Sequence, residues 1–128
     1  MISTMVVKDI FTISPSARSS FTLVEHMGQL SAAEKQTYHP LKMIAGKSYV
    51  IEMSSTDWKA LDPLLRLLDQ DGKVVAENDD ISYPANMDSR IMFTPSASGA
   101  YRIVATSFLQ RGIGVYTITI REFAVKKE

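Results

Sequence analysis

A group of oxygen-bearing side chains surrounds one predicted hairpin of this chain. The group consists of Asp62 before the hairpin, Asn78, Asp79 and Asp80 directly after it, and Asp88 further along. Neighbouring carboxylates repel each other unless a cation or hydrogen-bond donors neutralise them. Calcium binds about six to eight hard oxygens, supplied mainly by carboxylates and carbonyls. The pattern therefore predicts a calcium site at one end of the domain, with Asp57 as an outlying candidate.

The same acids have a second interpretation that needs no metal. Aspartate readily accepts a hydrogen bond from the main chain two residues further on, so Asp79 and Asp80 can cap turn amides. The spacing of the group matches no EF-hand or other calcium-loop pattern. Both interpretations stay open at the level of the sequence.

Three aromatic residues fall in predicted loops or at strand ends: Trp58, Tyr83 and Phe108. Exposed aromatic rings at such places stack on sugar rings or on proline-rich collagen-like chains, which predicts a ligand-binding role. In the alternative interpretation Trp58 and Tyr83 cover the mouth of the hairpin and serve the core.

The residues needed for catalysis are sparse. His26 and His39 are the only histidines, both fall in predicted strands, and the chain has no cysteine. No GxSxG elbow, HExxH pair or phosphate-binding glycine loop occurs. A Ser-His-Asp triad assembled from distant residues remains the one route to an enzyme, so the sequence favours a protein without catalytic activity.

Composition limits the partners of the chain. Its 128 residues suit one domain, and its 14 acidic and 14 basic residues balance, so no overall field attracts nucleic acid or an anionic membrane. No apolar run approaches the roughly 20 residues that span a bilayer. The first residues do not form a secretory signal, because Lys8 and Asp9 interrupt the apolar run Met5–Val7. If the natural protein is exported, this chain is a piece of it.

Alternating apolar and polar residues predict about eight strands in a two-layer antiparallel β-sandwich of jelly-roll type, an all-β fold. The predicted strands are Phe21–His26, Tyr38–Ile44, Ser48–Ser54, Leu64–Asp69, Val74–Ala76, Ser89–Thr94 and two that begin at Gly99 and Gly114. Asp71-Gly72 is the expected hairpin turn, because it favours positive φ. Pro63 argues against a helix in the segment around it. Residues 1–20 are predicted to be a linker, with a short strand over Met5–Ile13 as the alternative, and residues 124–128 a tail.

The alternation also assigns inward faces. Leu65 and Leu67 are the predicted inward pair of the hairpin, and Ile91 and Phe93 are buried while Arg90 and Met92 point outward. In three predicted strands, a tyrosine shortly after a glycine is the first residue on the face that points into the core: Tyr49, Tyr101 and Tyr116. Their rings are predicted to close the ends of the core while each hydroxyl finds a hydrogen-bond partner.

Five motifs in this order resemble the bacterial pre-peptidase C-terminal domain, a module appended to many secreted proteases. They lie at Gly28–Ser31, Ala45–Met53, Asp62–Asp80 and Ser89–Pro95 and in the paired G-x-Y strands, so the resemblance covers Phe21–Phe123. It implies a β-sandwich without catalytic activity, similar to the collagen-binding domains of clostridial collagenases, some of which bind calcium. Many members of that family carry an acidic stretch of the D-x-D type at the position of Ala33–Gln36. In this chain Glu34 is the only acid there, so the resemblance gives weaker support for a calcium site that uses this loop.

The resemblance and the missing catalytic residues together predict a non-catalytic accessory domain of a larger exported bacterial protein. Its expected partners are the other domains of that protein and, beyond them, an extracellular polymer such as collagen or a polysaccharide. The resemblance also implies an extracellular or periplasmic location. The alternative is a structural spacer or folding module that binds no external ligand.

Overall fold

The computed structural model describes residues 4–11, 20–57, 59–79, 86–110 and 112–124, with the main chain alone for residues 4–11 and 20. The described residues form nine strands: β1 (Thr4–Phe11), β2 (Ser20–Leu30), β3 (Thr37–Met43), β4 (Ser48–Ser55), β5 (Pro63–Leu68), β6 (Val74–Asn78), β7 (Ser89–Phe93), β8 (Gly99–Ser107) and β9 (Gly114–Phe123). Among these residues no helix is long and apolar enough to cross a membrane.

The strands build two antiparallel sheets that face each other. One sheet has the order β1-β2-β9-β4-β7 and the other the order β3-β8-β5-β6. Neighbours pair in a nested way, β2 with β9, β3 with β8, β4 with β7 and β5 with β6. This nesting is the jelly-roll pattern. The predicted all-β, two-layer antiparallel fold is therefore confirmed.

The inward faces are those that the alternation predicts. Apolar side chains of both sheets meet in one core of fifteen buried residues: Leu30, Met43, Tyr49, Ile51, Met53, Leu61, Leu65, Leu67, Ile91, Tyr101, Ile103, Ala105, Tyr116, Ile118 and Ile120. Phe93 is partly buried and packs against this core, whereas Met92 is 73% exposed. In β2 the residues that face the core are Val24, His26 and Leu30.

The first strand differs from the favoured interpretation of residues 1–20. Thr4–Phe11 does not form a linker but pairs antiparallel with β2 over its whole length, from Thr4 opposite Met27 to Phe11 opposite Ser20. For these residues the strand alternative describes the structure. The reason is that β2 lies at the end of its sheet without β1, and its outer edge offers main-chain groups to a further strand. The domain boundaries themselves stay predictions.

The hairpin between β5 and β6 contains the expected glycine but a longer turn. Gly72 has a φ of 83°, in agreement with the prediction for Asp71-Gly72. The turn spans residues 69–73, closed by main-chain hydrogen bonds from Asp69 N to Lys73 O and from Gly72 N to Asp69 O, both 2.9 Å. The register shifts between Leu67 and Leu68, where a bulge accommodates the longer turn.

Candidate functional site

The two ends of the sandwich are built differently, and the site residues divide between them. We call the end with the links β2–β3, β4–β5, β6–β7 and β8–β9 the loop end. We call the end with the shorter links β3–β4, β5–β6 and β7–β8 the turn end. Phe108 lies toward the loop end, and so do the predicted calcium ligands that the structure describes, Asp62, Asn78, Asp79 and Asp88.

Asp62 and Asn78 occupy neighbouring strands of the smaller sheet at the loop end. Asp62 directly precedes β5, and its carbonyl oxygen accepts a hydrogen bond from the Phe108 amide at 3.0 Å. Asn78 ends β6, where its side-chain oxygen accepts the Arg90 amide at 3.2 Å and its carbonyl accepts the Ser89 hydroxyl. These bonds tie β6 to β7 and join the two sheets. The main chain thus already uses the Asn78 side-chain oxygen.

Asp88 lies in the other sheet, just before β7. Burial raises the pKa of its carboxyl group, and the nearby Glu52 raises it further, while the Ser55 main chain opposes the change. A raised pKa from these causes means that the folded protein disfavours the charged form of this acid more than water does. The carboxylate of Asp88 therefore lies in an unfavourable environment that a cation would relieve.

The described residues alone do not form a metal cage. Among them no three His, Asp or Glu side chains come together in an arrangement that could hold a metal ion. Four of the predicted ligands lie at the same end of the sandwich, beside β5, β6 and β7: Asp62, Asn78, Asp79 and Asp88. Asp80 lies outside the described residues. The calcium site stays a prediction that depends on Asp80 and the chain that follows it.

Phe108 is the predicted aromatic that the structure places at the surface, with 47% of its area exposed. Trp58 and Tyr83 lie outside the described residues. Next to Phe108 the chain exposes further apolar side chains, Leu109 and Ile113, which are 59% and 52% exposed. We call Phe108, Leu109 and Ile113 the apolar tip.

The main chain of the apolar tip adopts an unusual conformation. Leu109 and Gln110 have φ values of 60° and 54°, in the left-handed region that side chains with a Cβ rarely enter. Such a conformation is unfavourable by roughly 1–3 kcal/mol per residue and persists only when its surroundings hold it. The sequence contained no signal for this turn, since neither residue is glycine, asparagine or aspartate.

Contacts on either side hold this turn in place. The Ile113 amide donates to Ala60 O at 3.1 Å, and the Gly112 amide donates to the Ser107 hydroxyl at 2.7 Å. A Cβ at Gly112 would lie 2.7 Å from that of Ser107 and 3.0 Å from the Leu61 Cα, so this position requires glycine. The apolar side chains are thus presented on a fixed framework.

A buried polar cluster lies beneath the loop end, and sequence analysis missed it. The rings of His26 on β2 and His39 on β3 lie 4.9 Å apart across the two sheets. His39 Nε2 is 2.7 Å from the Tyr116 hydroxyl, which is also 2.5 Å from Thr37 Oγ1. Both histidines are predicted to lie in strands, but no pattern in the chain indicates that strands of opposite sheets bring them together.

Burial sets the charge of this cluster. Desolvation lowers the pKa of His39 to about 4, and the neighbouring His26 contributes to the shift. Burial lowers the pKa of His26 as well and raises the pKa of Tyr116. All three groups are therefore neutral near pH 7, and His39 and Tyr116 share a hydrogen bond within the core. The two histidines are only 8% and 3% exposed, which suits a structural role.

Arg90 points outward as predicted, and Arg66 and Arg90 each form an ion pair. Arg66 pairs with Glu77 on the neighbouring strand, as the hairpin register predicts. Arg90 pairs with Glu52 at 2.6 Å, and the other oxygen of Glu52 accepts from Arg121 at 3.1 Å. The sequence did not indicate this Glu52 pairing. Partly exposed pairs of this kind add little to stability and indicate no function.

Comparison with known structures identifies the fold. The chain is similar to the pre-peptidase C-terminal domain of a collagenase from Bacillus anthracis, with a TM-score of 0.60 and 12% identity, over 75% of this chain and 86% of that one. It is also similar to PliG from Aeromonas hydrophila, a periplasmic inhibitor of g-type lysozyme, with a TM-score of 0.51 and 12% identity over 88% and 92% of the two chains.

These similarities confirm the predicted resemblance at the level of the fold. No protein-family model matches the chain. No curated protein matches it in sequence either. At 12% identity the shared architecture says nothing by itself about ligands. The structure thus has the fold of a pre-peptidase C-terminal domain, and its function has to be argued from its surface.

Proposed function

We propose that this chain is a non-catalytic accessory domain of a larger exported bacterial protein. It positions the other domains of that protein or binds an extracellular polymer such as collagen or a polysaccharide. The fold shared with a collagenase domain supports the accessory role. The buried, neutral histidine cluster supports the absence of catalysis, because its side chains lie within the core.

The apolar tip is the observation that carries the binding role. Isolated exposed apolar residues are common, but here three lie within six consecutive positions on a turn held in a left-handed conformation. Strained backbone of this kind concentrates at functional sites, where the surroundings maintain it. Aromatic and aliphatic side chains presented rigidly form the centre of many binding surfaces.

Charge and similarity support the proposed location and partners. The balanced charge of the chain gives no general attraction for nucleic acid or for an anionic membrane surface. PliG is described as periplasmic, which supports a location outside the cytoplasm for this chain too. Partners of the domain are then the neighbouring parts of its parent protein and the polymers of that environment.

Retention on insoluble polymers tests the proposal. The purified chain is mixed with insoluble collagen, chitin or cellulose, and the bound fraction is measured after sedimentation. We expect at least one polymer to retain the chain. Phe108→Ala should then reduce the affinity at least about tenfold, the effect of truncating one anchoring aromatic residue. Trp58→Ala is a parallel variant that tests the other predicted aromatic.

A matched control separates the apolar tip from general surface hydrophobicity. Met92 is 73% exposed on the outer face of β7, away from the loop end, so Met92→Ala should leave retention unchanged. If all three polymers fail to retain the unmodified chain, the spacer interpretation replaces the binding role. Equal losses for Phe108→Ala and Met92→Ala would show that the apolar tip is not the contact.

The similarity to PliG favours one second candidate, inhibition of a lysozyme. It covers more of both chains than the collagenase similarity does, although the TM-score is lower. The assay is the lysis of bacterial cell walls by a g-type lysozyme with and without a molar excess of this chain. A loss of lytic activity that Phe108→Ala relieves would favour this candidate over polymer binding.

A further inference from the structure

A groove at the turn end lies at the opposite end of the sandwich from the apolar tip and the described acids predicted to bind calcium. It has a volume of about 310 Å³ and is open to solvent. One wall is the β5–β6 turn at Asp69–Asp71, and the other is the β7–β8 link at residues 96–98 with the start of β8. Val75, Phe93 and Tyr101 line its apolar side. Its size is within the range of small-molecule sites in proteins.

The wall formed by the β5–β6 turn is fixed by its own hydrogen bonds. One carboxylate oxygen of Asp69 accepts the amides of both Asp71 and Lys73 at 2.9 Å. Together with the main-chain bonds that close residues 69–73, these contacts leave the turn little freedom. The main chain of this turn is therefore held near one position before any ligand arrives.

The wall formed by the β7–β8 link is fixed in the same way. The Tyr101 hydroxyl donates to Ala97 O at 2.8 Å, and the Ser98 hydroxyl accepts the Ala45 amide at 2.8 Å. The Gly46 amide donates to Pro95 O at 3.0 Å. Edge-on packing of Phe93 against Tyr101, with ring centroids 6.0 Å apart, closes the floor. Binding here would need little reorganisation, which favours affinity.

Three polar side chains on these walls have no hydrogen-bond or ion-pair partner among the described residues: Gln70, Asp71 and Ser96. Among the described residues that line the groove there is no lysine or arginine, whereas Asp69 and Asp71 are present. The Arg102 guanidinium lies nearby, beside Gly72, but outside this lining. An anionic group such as a phosphate or a uronate would meet two carboxylates in the groove, which disfavours such ligands.

Hydrogen-bonding capacity distinguishes the remaining ligand classes. The Asp71 carboxylate only accepts, whereas the Gln70 amide and the Ser96 hydroxyl both donate and accept. A cationic amine or guanidinium would satisfy Asp71, but it has no acceptor for the donors of Gln70 and Ser96. Sugar hydroxyls donate and accept, and the C–H face of a sugar ring packs on apolar and aromatic side chains.

We propose that this groove binds a neutral saccharide unit between the β5–β6 turn and the β7–β8 link. Asp71 and Gln70 bind hydroxyl groups from one side and Ser96 from the other, while Phe93 and Val75 contact the ring. The inference rests on the proposed function in that it names the class of polymer that an accessory domain would bind. It adds a contact at the end opposite the apolar tip.

Chemical-shift mapping tests this groove directly. Glucose, galactose, mannose and N-acetylglucosamine are added singly, at high millimolar concentration, to the isotopically labelled full chain. We expect at least one sugar to shift the amide signals of residues 69–72 and 96–101. Asp71→Asn replaces a charged acceptor with a neutral one, so it should weaken binding of that sugar about threefold to tenfold. Glu77→Gln removes one negative charge from the same hairpin outside the groove and should leave binding unchanged.

A second variant blocks the groove without depending on charge. A Cβ at Gly99 would lie 3.3 Å from Gln70 Oε1, the end of a flexible side chain, so Gly99→Val should extend a branched side chain into the groove once Gln70 moves aside. It should abolish the shifts. Urea unfolding checks that this variant stays folded. The proposal is wrong if no sugar of the panel shifts the groove amides, or if Asp71→Asn and Glu77→Gln behave alike. Shifts with Nα-acetyl-arginine amide but with no sugar would also overturn it, in favour of a cationic side chain.

The two proposals fail separately. If a polymer retains the chain through Phe108 while no sugar shifts the amide signals of the groove, the accessory function is supported and the saccharide proposal is wrong. If the groove binds sugar while none of collagen, chitin and cellulose retains the chain, the groove stands and the polymer-binding role of the apolar tip does not.

Discussion

The two ends of the sandwich close the same core by different means. At the turn end the hydroxyls of Tyr49 and Tyr101 bond to neighbouring main-chain groups and, for Tyr49, to Glu122. At the loop end the Tyr116 hydroxyl bonds to Thr37 and His39, which are buried side chains of the opposite sheet. The tyrosines of the turn end thus bond to groups at its rim, whereas the tyrosine of the loop end bonds to side chains inside the core.

This difference gives the two ends different properties. Hydrogen bonds within short turns make the main chain of the turn end rigid, which suits a preformed groove. The loop end joins the sheets through two histidines that must stay neutral, and it exposes apolar side chains on a strained turn. We therefore expect the loop end to respond to substitution and to pH more strongly than the turn end.

The largest difference is expected from adding one carbon at each end. A Cβ at Gly28 would lie 2.3 Å from the Tyr116 hydroxyl and 2.5 Å from its Cζ, and a packed ring cannot move aside easily. Gly28→Ala should therefore lower the free energy of unfolding by roughly 3 kcal/mol. Gly99→Ala at the turn end meets only a flexible glutamine at 3.3 Å and should change it by less than about 0.5 kcal/mol.

Urea unfolding at neutral pH measures both variants. The double variant with Tyr116→Phe removes the nearest atom of the clash and should recover part of the loss caused by Gly28→Ala. Similar small effects for Gly28→Ala and Gly99→Ala would contradict the distinction between a tightly closed loop end and a tolerant turn end.

Acidification should destabilise the protein through the loop end. The pKa of His39 is lowered from 6.5 to about 4 in the folded state, so between these values the unfolded chain binds the proton and the folded one does not. Stability is therefore unaffected by this group above pH 6.5 and falls as the pH drops from there toward 4. At about pH 4.5 the loss should be about 2–3 kcal/mol, since one pKa unit corresponds to about 1.4 kcal/mol. His26 acts in the same direction.

The variant His39→Gln isolates this effect. It keeps a hydrogen-bonding group near Tyr116 but cannot take up a proton in this range, so its stability should depend less on pH than that of the unmodified chain. The measurement is the urea midpoint at several pH values for both proteins. Parallel pH profiles would exclude His39 as the group responsible.

Removing a tyrosine hydroxyl should have a moderate effect that again differs between the ends. Tyr116→Phe leaves Thr37 and His39 in a buried site with only each other, at 3.2 Å, and should destabilise by about 2 kcal/mol. Tyr101→Phe loses one bond to a main-chain oxygen near solvent and should lose about 1 kcal/mol. Thermal unfolding of the two variants checks the order, and an equal or reversed order would contradict it.

Calcium is expected to have the smallest effect. Sites of the extracellular type bind at about 0.1–1 mM, so millimolar calcium would add only about 0.4–1.4 kcal/mol to stability. A melting scan with calcium against chelator, and with magnesium as the matched control, measures it. Asp80→Asn should remove the shift if the predicted ligands bind the ion. No calcium-specific rise in melting temperature would end the calcium hypothesis for Asp62, Asn78, Asp79, Asp80 and Asp88.

Much of the fold could be predicted from local patterns. Alternation placed Leu65, Leu67 and Ile91 in the core, and the glycine-tyrosine pairs indicated that tyrosines close its ends. The candidate site was less accessible to such reasoning. The left-handed turn at Leu109 contains no glycine at the positions with positive φ, so the sequence gives no sign of it. The groove lies between two turns that are far apart in the sequence, and they become neighbours only because the chain crosses between the sheets.

Local patterns in the chain specify which side chains of each strand turn inward, because a strand alternates its faces with a period of two whatever its neighbours are. They also specify the turn at Gly72, because positive φ is a local property of glycine. The contact between His26 and His39 and the pairing of Glu52 with two arginines arise instead from the assembled sheets. These contacts depend on which strands pair and how the sheets stack, and that choice follows from packing the whole core.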